Sequence, residues 1–193
     1  MRRTCFNGSR LFVAGTLVPL LGILGIAAAG EPFRLTSSTF SDGTLMPRKV
    51  SNNLSQNPNC VGENVSPQLS WSNPPEGTKS FALIMFDPEG RAGLGVVHWV
   101  AYGIPTSITG FAEGEVTRDS DKYTGGKSSM NVGHYSGPCT PAGAAHHYTF
   151  VVIATDLEPK ELPPGLTLSE LQEKLAGHGK DAAGMVALFQ HPK

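Results

Sequence analysis

The octapeptide SFALIMFD, Ser80–Asp87, is apolar at both alternating sets of positions and ends in a carboxylate. Side chains alternate across a strand, so a segment apolar on both faces reads as a central strand covered on both sides. Working outward, VVHWVAYGI (residues 96–104) and HHYTFVVIATD (146–156) are two further β-rich runs bounded by Gly and Pro. Ala182 to Phe189 is a short apolar segment placed to close the sheet, and Phe33 to Phe40 opens the domain with apolar residues among threonines. Residues 41–66 are mostly Ser, Asn, Gly, Pro and Gln, a long loop-rich stretch of the kind that often carries function. One helix is predicted. Thr167 and Glu170 have the spacing of a capping box, Leu168, Leu171 and Leu175 share a face, and Gly177 and Gly179 end it. Strands parted by turn signals, with one late helix, predict a mainly β protein: an antiparallel β-sandwich with a few peripheral helices.

The N-terminus has the three parts of a secretory signal. Arg2, Arg3 and Arg10 give a basic start, Leu11 to Ala29 is uncharged, and Ala27-Ala28-Ala29 fits small-residue cleavage. The alternative is an uncleaved anchor, since nineteen uncharged residues nearly span a bilayer; Pro19 and the glycines at 15, 22, 25 and 30 weigh against it. The expectation is a cleavable signal over residues 1–29, one domain over 30–193, and an exported protein, periplasmic or secreted, with no transmembrane anchor after cleavage. Cleavage removes three of fifteen basic residues and no acid, leaving twelve against sixteen acidic ones. That mild acidity, with no polybasic run, argues against a nucleic-acid partner or a protein that coats anionic lipid. Cys5 goes with the signal, and Cys60 and Cys139 remain in an oxidising compartment, where an even count favours a bridge over two buried thiols.

Ionisable residues inside apolar strands call for a reason, because unpaired burial is expensive. Asp87 ends the central strand and precedes Pro88. By alternation Asp87 lies with Phe81, Leu83 and Met85. His98 lies with Val96, Val100 and Tyr102, Trp99 points the other way, and His146 and Tyr148 lie with Phe150 and Val152. A carboxylate fixes and charges an imidazole. A charged imidazole, a phenol and backbone N–H groups at Gly137 suit a phosphate-like anion.

These residues also carry a family resemblance. Asp87-Pro88-Glu89 followed by His98-Trp99, then Gly137-Pro138-Cys139-Thr140-Pro141 followed by His146-His147-Tyr148, resembles the two signature regions of the phosphatidylethanolamine-binding proteins. The bacterial Raf-kinase-inhibitor-like branch is the nearer likeness, and Asn64 to Trp71 with Pro75 to Ser80 is similar to its lead-in. The likeness covers roughly Phe33 to Phe189. It implies a β-sandwich with a small anion cavity at one end, lined by the residues that match the family's pocket: Asp87, His98, Gly137, Pro138, His146 and Tyr148. It implies a non-enzymatic binder of a phosphate-like anion or phospholipid headgroup with no cofactor. It makes a kinase or protease partner plausible, and a homodimer stays open. Gly90-Arg91-Ala92 departs from the usual continuation after Asp-Pro, so Arg91 is expected to reshape the pocket rim.

The alternative function is a zinc-dependent hydrolase using Asp87, His98 and His146 as metal ligands, although the helical His-Glu-x-x-His spacing is absent. A serine hydrolase is not supported, since Ser136 lacks the Gly-x-Ser-x-Gly frame. Gly90 to Gly95 leads into a strand and Gly179-Lys180-Asp181 lacks the flanking residues of a phosphate loop, so neither is a nucleotide motif.

Overall fold

The computed structural model describes Met1 and residues 30–193; the segment read as an export signal lies outside the described residues. SFALIMFD forms β4 (Ser80–Asp87), hydrogen-bonded on one side to β5 (Val96–Pro105) and on the other to β8 (His146–Thr155). The large sheet runs β2 (Thr44–Leu45), β9 (Gly179–Phe189), β8, β4, β5, β7 (Thr124–Gly125). A small sheet runs β1 (Arg34–Thr36), β3 (Leu69–Ser72), β6 (Gly110–Phe111). Phe81, Leu83 and Met85 of β4 meet Leu35, Leu69 and Trp71 of the small sheet in one core, so the two sheets form the predicted sandwich. Trp71 packs edge-on against Phe81 at 5.5 Å between ring centroids, an arrangement aromatic pairs favour.

Double coverage of β4 comes from a second cluster on the outer face, where Ala82, Val100 and Tyr102 lie under Leu157, Leu171 and Leu175. The last two belong to α1 (Leu168–Leu175), whose capping box is present: Thr167 accepts from the Glu170 backbone and Glu170 from that of Thr167. Among the described residues, a single 3-10 turn at Arg48–Val50 and a four-residue turn at Gly90–Gly93 are the other helical pieces.

Three expectations need correcting. The sheet is mixed rather than wholly antiparallel, because β2 pairs in parallel with the end of β9 and displaces it from the edge there. Gly177, at φ 82°, follows the end of α1, whereas Gly179 already belongs to β9. The third concerns His98. Between Met85 and Phe86 the pairing steps from Trp99 to Val97, leaving His98 as an extra residue in β5. A bulge breaks strict alternation. Trp99 therefore faces the sandwich core while Val100 and Tyr102 face α1, and His98 turns toward Tyr148 on the core side.

Cys60 and Cys139 are bridged, with Cα atoms 4.3 Å apart, tying the 41–66 loop to the segment before β8. The bridge closes a separation of 79 residues, for which loop-closure entropy gives a ceiling of about 4.5 kcal/mol. Replacing both cysteines by serine is expected to lower the urea unfolding free energy by up to that amount without dispersing the sheet signal in circular dichroism. A double variant as stable as the parent would show that the loops are held by other contacts.

Candidate functional site

The end of β4, the start of β5 and the start of β8 open together at one end of the sandwich. With loops 52–60 and 136–141 they enclose a cleft of about 530 Å³. The geometry starts from Asp87, which is 3% exposed. Its Oδ1 accepts the backbone N–H groups of Glu89 (2.9 Å) and Gly90 (3.0 Å). Its Oδ2 lies 2.9 Å from His146 Nδ1. Because a carboxylate only accepts, His146 donates through Nδ1 and presents Nε2 as its other ring nitrogen.

His98 is held by the same logic. Its Nδ1 donates to the Ser136 carbonyl at 2.7 Å, leaving Nε2 without a protein partner among the described residues. Burial pushes the His98 pKa below its ordinary 6.5, against an opposite pull from the Ser136 carbonyl and the Asp87 charge. Tyr148 packs edge-on to His98 at 5.2 Å, and its hydroxyl shares a 2.6 Å hydrogen bond with Thr140 Oγ1. Burial, with the Asp87 charge adding to it, drives the Tyr148 pKa well above that of free phenol, so the hydroxyl stays a neutral donor.

Of the six residues matched to the family's pocket, Asp87, His98, Gly137, His146 and Tyr148 line the cleft. Pro138 is buried behind it, and its carbonyl accepts from Ser51 Oγ and the Asn52 backbone. The Gly137 N–H does not offer itself to an anion, since it donates to Asn64 Oδ1 at 2.8 Å. What Gly137 supplies is space: a Cβ there would collide with the Val50 carbonyl, so only glycine lets this segment lie against the 50–52 backbone.

Several wall residues were not singled out from the sequence. Asn52, Leu54 and Asn57 come from the long polar loop, and Met130 from the 126–145 connection. The signal that places the first three is Cys60, whose bridge to a residue beside Gly137-Pro138 brings that loop to the site. Glu89 was quoted in the motif without a role. Its carboxylate takes the His147 backbone N–H (3.1 Å) and Nδ1 (2.7 Å), fastening the turn after β4 to β8. That turn is strained, with Arg91 and Ala92 at φ 52° and 57° in succession. Each left-handed non-glycine residue costs about 1–2 kcal/mol.

The zinc reading loses its third ligand. Among the described residues the group able to converge on a cation is Asp87, Glu89 and His146, with donor atoms within 4.8 Å of one another, and His98 is not in it. Both oxygens of Asp87 and both of Glu89 already accept N–H groups.

The sequence profile described as "Phosphatidylethanolamine-binding protein" matches residues 36–190, a span that contains every side chain of the cleft. The chain belongs to the phosphatidylethanolamine-binding protein family. The UPF0098 protein of Aquifex aeolicus is 34% identical over 172 residues, 85% of this chain and 92% of that protein. A Mycobacterium tuberculosis protein named as a lipoprotein, LppC, is 36% identical over 169 residues, 85% of this chain and 75% of its own. The crystal structure of Escherichia coli YbcL, described as a new member of the mammalian PEBP family, superposes with a TM-score of 0.72 at 29% identity, covering 82% of this chain and 98% of that one.

The depressed His98 pKa links the site to stability. An unfolded chain gains the imidazole proton near pH 6.5 while the folded chain resists it. The contribution of neutral His98 is therefore complete above pH 6.5 and is lost as pH falls toward the depressed value. Urea unfolding at pH 7.5, 6.5 and 5.5 should show the parent losing stability toward acid faster than His98→Gln. Parallel losses would mean that His98 does not carry this linkage.

Proposed function

We propose that the protein is an exported, non-enzymatic binding protein whose cleft takes phosphate-like anions, free or as phospholipid head groups. The observation that carries the reading is the pair of imidazoles, His98 and His146, each with Nδ1 tied down, by Ser136 and Asp87 respectively. Each ring then has Nε2 left for a ligand in a cleft that both line. In its neutral form Nε2 accepts the proton of a monoanionic phosphate; once protonated it donates a charge-assisted hydrogen bond, about twice as strong as a neutral one. The Asp87 carboxylate, 2.9 Å from Nδ1, orients the His146 ring. Burial disfavours the charged form of His98 until an anion arrives, so binding and proton uptake are linked.

Export is supported by the sequence pattern of residues 1–29, by the Cys60–Cys139 bridge, which persists in oxidising compartments, and by a relative named as a lipoprotein. No helix among the described residues is long and apolar enough to cross a membrane.

Calorimetric titration with phosphate and with phosphorylethanolamine tests the site. Affinity should rise as pH falls from 7.5 toward 6, by up to about tenfold per pH unit for each proton taken up. His98→Ala or His146→Ala should each cost about 1.5–3 kcal/mol, at least tenfold in Kd. His147→Ala, on the exposed side of β8, keeps the backbone N–H that holds Glu89 and should cost clearly less than His146→Ala. The same preparations should turn over neither phosphate esters nor acyl esters. Absence of binding by any anion, or equal damage from His147→Ala and His146→Ala, would sink the assignment.

A further inference from the structure

We propose that Arg91 is a specificity residue of this cleft, selecting phosphorylated ligands that carry a second anionic group beyond the phosphate. The inference rests on the anion-binding reading above and adds to it which anion is preferred.

Arg91 is the one permanently charged cation among the residues lining the cleft. The other fixed charges there are carboxylates, Asp87 and Glu89, and both are committed: Asp87 to two backbone amides and His146, Glu89 to His147. The Arg91 guanidinium makes no ion pair and no hydrogen bond among the described residues, and the residue is exposed at the rim. A planar guanidinium with unspent donors matches a carboxylate or a second phosphate.

The backbone supplies an independent argument. Arg91 sits at φ 52°, ψ 45° and Ala92 at φ 57°, ψ 40°, a conformation glycine adopts without cost and β-carbon residues resist. Gly90, Gly93 and Gly95 are close at hand in the same turn, so the chain places its arginine at a strained position among glycines. The turn is pinned at both ends, by the Glu89–His147 contact and by the Gly95 N–H donating to the Gly90 carbonyl at 2.9 Å. Strain held by an over-determined surround is a feature of binding rims, where it fixes a side chain that the fold alone does not need.

O-phosphoserine and O-phosphoethanolamine differ by one carboxylate, and they separate this proposal from the one beneath it. The parent protein should bind phosphoserine roughly fivefold more tightly at low ionic strength, the upper range for an exposed ion pair, and the preference should shrink with added salt. Arg91→Gln should lower phosphoserine affinity more than phosphoethanolamine affinity and so remove the preference, while Arg91→Lys should keep part of it. Arg91→Gly should raise the melting temperature by relieving the strain and still lose the preference, a pairing that a merely structural arginine does not give. Equal affinity for the two ligands in the parent, or a preference that survives Arg91→Gln, overturns the role of Arg91 while the anion site stands. Failure of both ligands and of inorganic phosphate to bind takes down both.

Discussion

A carboxylate buried at the end of a central strand must be satisfied or neutralised, and the arrangement around Asp87 follows from that demand. Burying an unpaired charge costs far more than any single contact returns. Three N–H donors meet Asp87, two from the turn that follows it and one from the start of β8. The amides of Glu89 and Gly90 curl the chain back immediately after β4, which makes the rim. The His146 ring fastens the start of β8 to the end of β4 and, by giving up Nδ1, leaves Nε2 as its other nitrogen in a residue that lines the cleft. One buried charge thus sets a turn, a strand junction and a tautomer.

The other half of the cleft depends on close backbone approach rather than charge. Gly137 lies against the 50–52 backbone where no side chain fits, its N–H held by Asn64, which itself adopts a left-handed φ of 57°. The Pro138 carbonyl is taken by Ser51 and Asn52, and one residue on, Cys139 is bridged to Cys60. These contacts join two loops far apart in sequence, so that a polar stretch with little to bury becomes a wall. Gly137 and Pro138 thus hold the wall in place, and neither offers an N–H to the cleft.

Most of the fold was legible in periodicity. SFALIMFD is central because it is apolar on both faces, and the capping box and leucine face of α1 formed where their spacing put them. Two kinds of feature were not legible. The two-residue strand β2 is too short to carry a pattern, and its parallel pairing depends on where β9 ends. The bulge at His98 inserts one residue into β5 without leaving a mark in composition, so counting by twos put His98 on the face of Val100 and Tyr102 and not beside Tyr148. Asp87, His146 and Tyr148 were placed correctly by alternation, but their meeting with His98 came from the family likeness, since periodicity fixes faces and not which strand ends converge. The Cys60–Cys139 bridge pointed to the loop wall, yet the particular wall residues depend on turns whose geometry their polar composition does not specify.

An aspartate holding a histidine by Nδ1 is also two-thirds of a hydrolytic triad, so the difference from one is informative. A triad needs a hydroxyl or thiol positioned to lose its proton to Nε2. The nearby hydroxyls are engaged otherwise. Thr140 Oγ1 is paired with Tyr148, and Ser136 Oγ accepts from Asn52 Nδ2 at 2.9 Å. Cys139, beside them, is consumed in the disulfide. The same Asp–His geometry that would activate a nucleophile thus presents Nε2 to a cleft in which Thr140 and Tyr148 share a hydrogen bond and Cys139 lies in the disulfide. An imidazole oriented through Nδ1 exchanges protons through Nε2, and this is the property on which the proposed recognition of a protonatable anion rests.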